Sequence, residues 1–200
     1  MRGSFEFPGA VPSVVWRLPA SPSVYVRTVD QNGRAIEPEV LDQVVPTIRR
    51  AVHDWSNGAL SIVTLETGTE TRPRTEGWLV VNITHDYNSD FCGQSYIGYT
   101  DGEITLVDDR CTCGSSKIPA AIVVHEVGHA LGFYHVDDRN AVMFPLDSGS
   151  CAPGILSDRE RYHAAVAYSR PRMNADPDTD DVATEFARGG PKPPDILVRN

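Results

Sequence analysis

His125 and His129 stand four residues apart, with Glu126 beside the first, Gly132 three residues past the second, and His135 three further on. On a helix, positions i and i+4 share one face a single turn apart, so both imidazoles can grip one cation. Glu126 sits where its carboxylate can reach a metal-held water without becoming a ligand. Glycine readily takes the left-handed conformation that ends a helix, and a sharp turn at Gly132 brings His135 back as a third ligand. Three histidines leave the fourth position of a zinc ion to water, the arrangement of a catalytic rather than a structural site. Zinc there lowers the water's pKa towards ~7 and polarises a carbonyl, while Glu126 serves as general base and returns the proton to a leaving amine. A bare H-E-x-x-H arises by chance on surface helices; the glycine and the third histidine in register set this one apart.

These residues need a scaffold, and the chain patterns one. Val24, Val26 and Thr28 alternate with Tyr25 and Arg27, which predicts a first strand ending at Asp30-Gln31-Asn32-Gly33. Leu41, Val44, Val45, Ile48, Val52 and Trp55 recur at helical spacing, with a stop at Asn57-Gly58 and with Pro46 expected to kink or divide the helix. Strands are predicted over 60–66 and 78–84, and a hairpin joins 94–99 to 103–107 around Thr100-Asp101-Gly102. Ser115 or Ser116 is expected to cap the histidine helix, which tolerates Pro119 in its first turn and stops near Gly132. Ser157 and Glu160 form a capping box for a last helix running towards Ser169. The domain boundaries follow: an irregular lead-in over 1–22, a catalytic domain over 23–170, and an acidic, Pro-rich tail or linker over 171–200.

The net charge of −9 argues against nucleic-acid or polybasic-membrane partners, and no apolar run is long enough to span a bilayer. The opening MRGSFEFPGA lacks the apolar core of a signal peptide, and Met1-Arg2-Gly3-Ser4 reads as a vector-derived start, so the missing export signal leaves location open. Four cysteines, Cys92, Cys111, Cys113 and Cys151, suggest two disulfides and an oxidising compartment, hence a secreted protein. Cysteines two apart, such as Cys111 and Cys113, rarely bond each other, so Cys92 and Cys151 are expected to take them in one order or the other. A second metal site on that C-x-C pair is the rival reading, with no nearby C-x-x-C to support it.

The segment from His125 to Pro145 resembles the metzincins and, within them, the matrixins. Met143 lies eight residues past His135 in Ala141-Val142-Met143-Phe144-Pro145, which looks like a matrixin Met-turn. The resemblance implies an α+β fold with an α/β-type upper lobe. Its parts are a twisted mixed sheet of about five strands, a backing helix, an active-site helix, and a small irregular lower lobe with Met-turn and C-terminal helix. It implies a monomeric zinc endopeptidase acting on extracellular protein or peptide. Met143 floors the histidines, substrate pairs along an edge strand at Ser95 to Tyr99 (Ile97, Gly98 and Tyr99 lining it), and Pro145 walls the specificity pocket. Backbone pairing of this kind is tolerant of sequence.

Several residues depart from the matrixin pattern. Val136 stands where matrixins carry Ser, Asp147 replaces the Tyr after the Met-turn, and the family's inhibitory prodomain cysteine motif is missing. Only His85 lies where matrixins gather a second, structural zinc, so that ion is not expected. Calcium is a further candidate cation, through Asp101, Glu103, Asp108 and Asp109, although ordinary turn carboxylates explain them equally well. A metzincin-like binding module that keeps zinc but turns over weakly is the alternative function, and a zinc hydrolase of another amide, such as a cell-wall peptide, is a third. The retained Glu126 favours the peptidase.

Overall fold

The computed structural model describes residues 18, 20–86, 89–97, 101–145, 151–169 and 196–199. Along the chain run β1 (Ser23–Arg27), α1 (Pro38–Trp55), β2 (Leu65–Gly68), β3 (Trp78–Thr84), β4 (Gly93–Ile97), β5 (Gly102–Val107), α2 (Ala120–Ala130), α3 (Asp158–Ser169) and β6 (Ile196–Arg199). The strands form one mixed sheet in the order β2-β1-β3-β5-β4-β6. The pairs β1/β2, β1/β3 and β3/β5 are parallel, whereas β4 runs antiparallel to both β5 and β6. This is the α+β architecture the sequence implies, with a sixth strand added.

Period-two alternation builds the sheet's inner face. Val24 and Val26, Leu79, Val81 and Ile83, and Ile104 and Leu106 are all buried in one core, and the register sets Val24 beside Leu79 and Val26 beside Val81. Val40, Val44, Ile48, Ala51, Val52 and Trp55 form the buried stripe of α1. Each buried aliphatic side chain of this kind contributes about 1.5–3 kcal/mol. Pro46 does not divide the helix, which runs unbroken from Pro38 to Trp55. It lies on the exposed side, where water can satisfy the carbonyl that its missing N–H leaves unpaired.

Three other expectations are corrected. The strand expected over 60–66 forms only at Leu65–Gly68, because parallel pairing with β1 decides where it starts. Neither Ser115 nor Ser116 caps α2, whose N-cap is Pro119 with no side-chain cap; the Ser116 hydroxyl is instead within hydrogen-bond reach of Gln43 and the Ile118 carbonyl. Within the stretch read as a tail, Ile196–Arg199 is a strand on β4. The capping box holds: Ser157 N–H donates to Glu160 Oε2 at 2.8 Å, and Glu160 N–H donates back to Ser157 Oγ at 3.3 Å. Disulfides join Cys92 to Cys111 and Cys113 to Cys151, one of the two orders left open. They pin the start of β4 and Cys151 to the segment leading into α2. Among the described residues, no helix is long and apolar enough to cross a membrane.

Helix α1 locks onto α2 through Trp55. Its indole N–H donates to the Val124 carbonyl at 2.8 Å, and its ring packs on Phe133 with centroids 4.6 Å apart. A Cβ on Gly128 would stand 2.7 Å from Met143 Sδ and 3.0 Å from the Trp55 ring. Alanine gains up to about 1 kcal/mol in helix propensity over glycine, but overpacking a core costs about 1–3 kcal/mol, and Trp55 is pinned by its hydrogen bond. Gly128→Ala is therefore expected to lower stability by about 1 kcal/mol in urea unfolding of the metal-free protein, despite the better propensity.

The turn between β1 and α1 is held by Asp30, whose Oδ1 accepts the N–H groups of Asn32 and Arg34 at 2.8 Å each. Burial alone raises its pKa, but those two N–H donors, with His85 and Arg34, outweigh it and hold the carboxyl below its usual range. A carboxylate depressed in the folded state stabilises above its unfolded pKa and loses that contribution as pH falls through the folded value. Asp30→Ala should cost about 1–2 kcal/mol at pH 7. In urea titrations the gap between parent and variant should narrow below about pH 4.

Candidate metal centre

Helix α2 carries His125 and His129 one turn apart, both fully buried. It ends as the sequence expects. Gly132 has φ +100°, its N–H donates to the His129 carbonyl at 2.8 Å, and the Phe133 N–H donates to the Gly128 carbonyl at 3.0 Å. This is a Schellman turn with glycine at the left-handed position, and it reverses the chain so that His135 returns to the helix face. The three Nε2 atoms then meet: 2.9 Å between His125 and His129, and 3.1 Å from each to His135.

What those nitrogens can do follows from their other side. His125 Nδ1 is hydrogen-bonded to the Val142 carbonyl, and His129 Nδ1 lies 2.7 Å from the Phe133 carbonyl. A carbonyl only accepts, so each Nδ1 carries the proton, and a neutral ring of that tautomer has its metal-ligating lone pair at Nε2. Burial, reinforced by the neighbouring His125 and His135 rings, holds His129 well below the usual histidine range and keeps it neutral. Converging lone pairs about 3 Å apart in a dry interior are unfavourable unless a cation sits among them, and imidazole nitrogens suit zinc. The three residues thus fit a zinc ion on the chemistry of their donor atoms. The carbonyls of Val142 and Phe133, which sequence cannot reveal, orient the rings.

Met143 is fully buried, and its sulfur lies against the Gly128 position of α2. Its backbone is tied on both sides. Met143 N–H donates to Glu160 Oε1 at 3.0 Å, and the Met143 carbonyl accepts from Val136 N–H at 2.9 Å. The capping carboxylate of α3 therefore also holds the segment whose Val142 carbonyl meets His125, a link not legible in the capping-box pattern.

Glu126 is buried beside the triad. Ser95, on β4, places its hydroxyl 2.7 Å from Glu126 Oε2 and 2.9 Å from the Glu126 carbonyl. A Cβ on Gly93, two residues earlier, would fall 2.5 Å from Glu126 Oε1, so only glycine lets the strand approach the carboxylate this closely. Neither residue is a sequence candidate for this role. The available signal was a glycine at the margin of the strand expected over 94–99, since glycine in a strand marks close backbone approach.

Of the substrate-binding candidates, Ile97 ends β4 and Pro145 follows the Met-turn half-buried, while Gly98 and Tyr99 lie outside the described residues, as does Asp147. The calcium set is not assembled. Strand β5 separates Glu103 from Asp108 by about 16 Å of extended chain, and Glu103 accepts from Asn82 Nδ2 at 2.9 Å. Asp108 instead pairs with His85 at 3.0 Å, its carboxyl raised by burial and then by Asp109. The ligand atoms of His85, Asp108 and Asp109 lie within 4.8 Å of one another, and Lys117 places its ammonium on Asp109 at 3.1 Å.

Comparison with known proteins agrees with this geometry and corrects the branch. The family model for the Astacin peptidases matches residues 40–142, just over half the chain. Archaemetzincin from Methanopyrus kandleri superimposes with a TM-score of 0.53 at 16% identity, covering 76% of this chain and 97% of that one. Metalloproteinase-II from Bacteroides fragilis gives a TM-score of 0.49 at 11% identity, with 76% and 54% covered. No curated protein matches. The matrixin assignment is not supported, since astacins are a different metzincin branch. It rested on the helix and Met-turn pattern, whereas Val136, directly after the third histidine, and Asp147, just beyond Pro145, depart from the matrixin pattern. The chain belongs to the Astacin peptidase family and is a zinc-dependent peptidase of the metzincin type.

Proposed function

We propose that the chain is a secreted endopeptidase in which His125, His129 and His135 hold one catalytic zinc and Glu126 is the general base. The observation that carries this reading is the buried Glu126 carboxylate, next in the helix to three converging imidazole nitrogens and held by Ser95. Zinc bound there supplies Lewis acidity, activating water near neutral pH and polarising the peptide carbonyl. Glu126 accepts the water's proton at its carboxylate and delivers it to the departing amine nitrogen. Ser95 acts as a positioning residue, fixing Oε2 so that the carboxylate does not swing away. An extended peptide pairs with β4 through its backbone, with Ile97, Gly98, Tyr99 and Pro145 as its substrate-binding residues. Such pairing reads main chain rather than side chains and suits polypeptide substrates. Two disulfides support an oxidising, extracellular setting.

Glu126→Gln should keep one zinc per chain by metal analysis while lowering kcat/KM on casein or a fluorogenic peptide by about 10²–10⁴-fold. His129→Ala should lose the metal, and chelation of the parent should abolish cleavage until zinc is restored. Equal activity of parent and Glu126→Gln, or activity untouched by chelation, would sink the mechanism.

Ser95→Ala separates positioning from binding. Its kcat should fall by about tenfold, roughly one hydrogen bond to a charged group, with KM, zinc content and melting temperature close to the parent. A rise in KM alone would show that Ser95 serves the substrate and not Glu126.

A further inference from the structure

The outer edge of β4 is not bare. Gln94, Ser95, Tyr96 and Ile97 pair antiparallel with Arg199, Val198, Leu197 and Ile196, while β5 takes the inner edge of the same strand. Val198 therefore stands at the register position opposite Ser95, the residue whose hydroxyl reaches Glu126 Oε2. A strand has one outer row of N–H and C=O groups, and whichever segment pairs with it excludes any other.

We infer that Ile196–Arg199 is an internal, substrate-like occupant of the β4 edge, which a peptide must displace before it can be cleaved. The inference rests on the reading that substrate pairs with β4. Three features of the pairing support it. The segment is extended and hydrogen-bonded through its backbone, the mode by which a sheet edge accepts peptide ligands. It covers the stretch of β4 adjoining Glu126, and not a remote part of the sheet. It is also short, only four residue pairs, so tethering favours it through effective concentration without making it immovable. The segment then acts as an intramolecular competitor, raising KM and leaving kcat untouched.

The test uses the full chain with Leu197→Pro and Val198→Pro together, since proline removes the N–H and resists a paired strand. Binding of a fluorescein-labelled DILVRN peptide to the zinc-loaded protein, read by anisotropy, requires no turnover. An edge that is open only 10–30% of the time weakens apparent affinity by about three- to tenfold, so the double variant should bind the peptide tighter by that factor. Its KM for a fluorogenic peptide should fall by the same factor at constant kcat. Leu197→Val with Val198→Leu, which keeps a strand-forming pair, should behave like the parent. Equal peptide affinity in parent and proline variant overturns the occupancy. Tighter DILVRN binding with an unmoved KM overturns the competition and shows that substrate does not pair on this edge. Tighter binding with no cleavage by either protein upholds the occupancy and places the failure on the proposed activity.

Discussion

Three imidazoles held with their Nε2 atoms 2.9–3.1 Å apart in the protein interior are the constraint around which the domain is organised. Ring nitrogens this close are unfavourable neighbours in a dry interior, and a cation among them makes the arrangement a ligand set. The surrounding elements therefore spend stability to keep the rings converged. The Schellman turn at Gly132 fixes where His135 returns. The carbonyls of Val142 and Phe133 hold two Nδ1 protons and so choose the tautomer. Trp55 reaches from α1 to the backbone of α2, and Met143 fills the space under Gly128. Each contact is ordinary alone; together they leave the histidines little freedom to relax away from the metal position.

The sheet contributes through its edge. Strand β4 runs antiparallel to its neighbours and lies against α2 at Glu126, with Gly93 and Ser95 as the residues of contact. The same short strand thus touches Glu126 on one side and pairs its outer backbone with Ile196–Arg199 on the other. In the proposed mechanism that shared position couples peptide docking to the chemistry through the backbone alone. On that reading, occupation of the edge by Ile196–Arg199 bears on activity, although those residues are far from the histidines in sequence.

Much of this was legible from residue patterns. The histidine spacing, Gly132 as the turn, Met143 in register behind it, the capping box at Ser157 and Glu160, and the alternation of β1 and β3 are local signals, each set by geometry within a few residues. Pairings between distant segments were not legible. Nothing local marks Ser95 as the partner of Glu126, or Glu160 as the acceptor of Met143 N–H. The start of β2 followed its partner β1 and not its own composition. The aliphatic run at Ile196–Arg199, in an acidic and Pro-rich context, reads as tail until a free edge is available to receive it.

By itself, then, the sequence determined that a helix would present two histidines on one face, that a glycine would return a third, and that a glutamate would lie beside them. These follow from helical periodicity and from the conformational freedom of one residue. Tertiary structure decided which backbone carbonyls set the tautomers, which strand steadies the glutamate, how the cysteines pair, and what lies on the edge of β4. Those outcomes depend on which surfaces meet when the sheet and helices pack, and no local pattern carries that information.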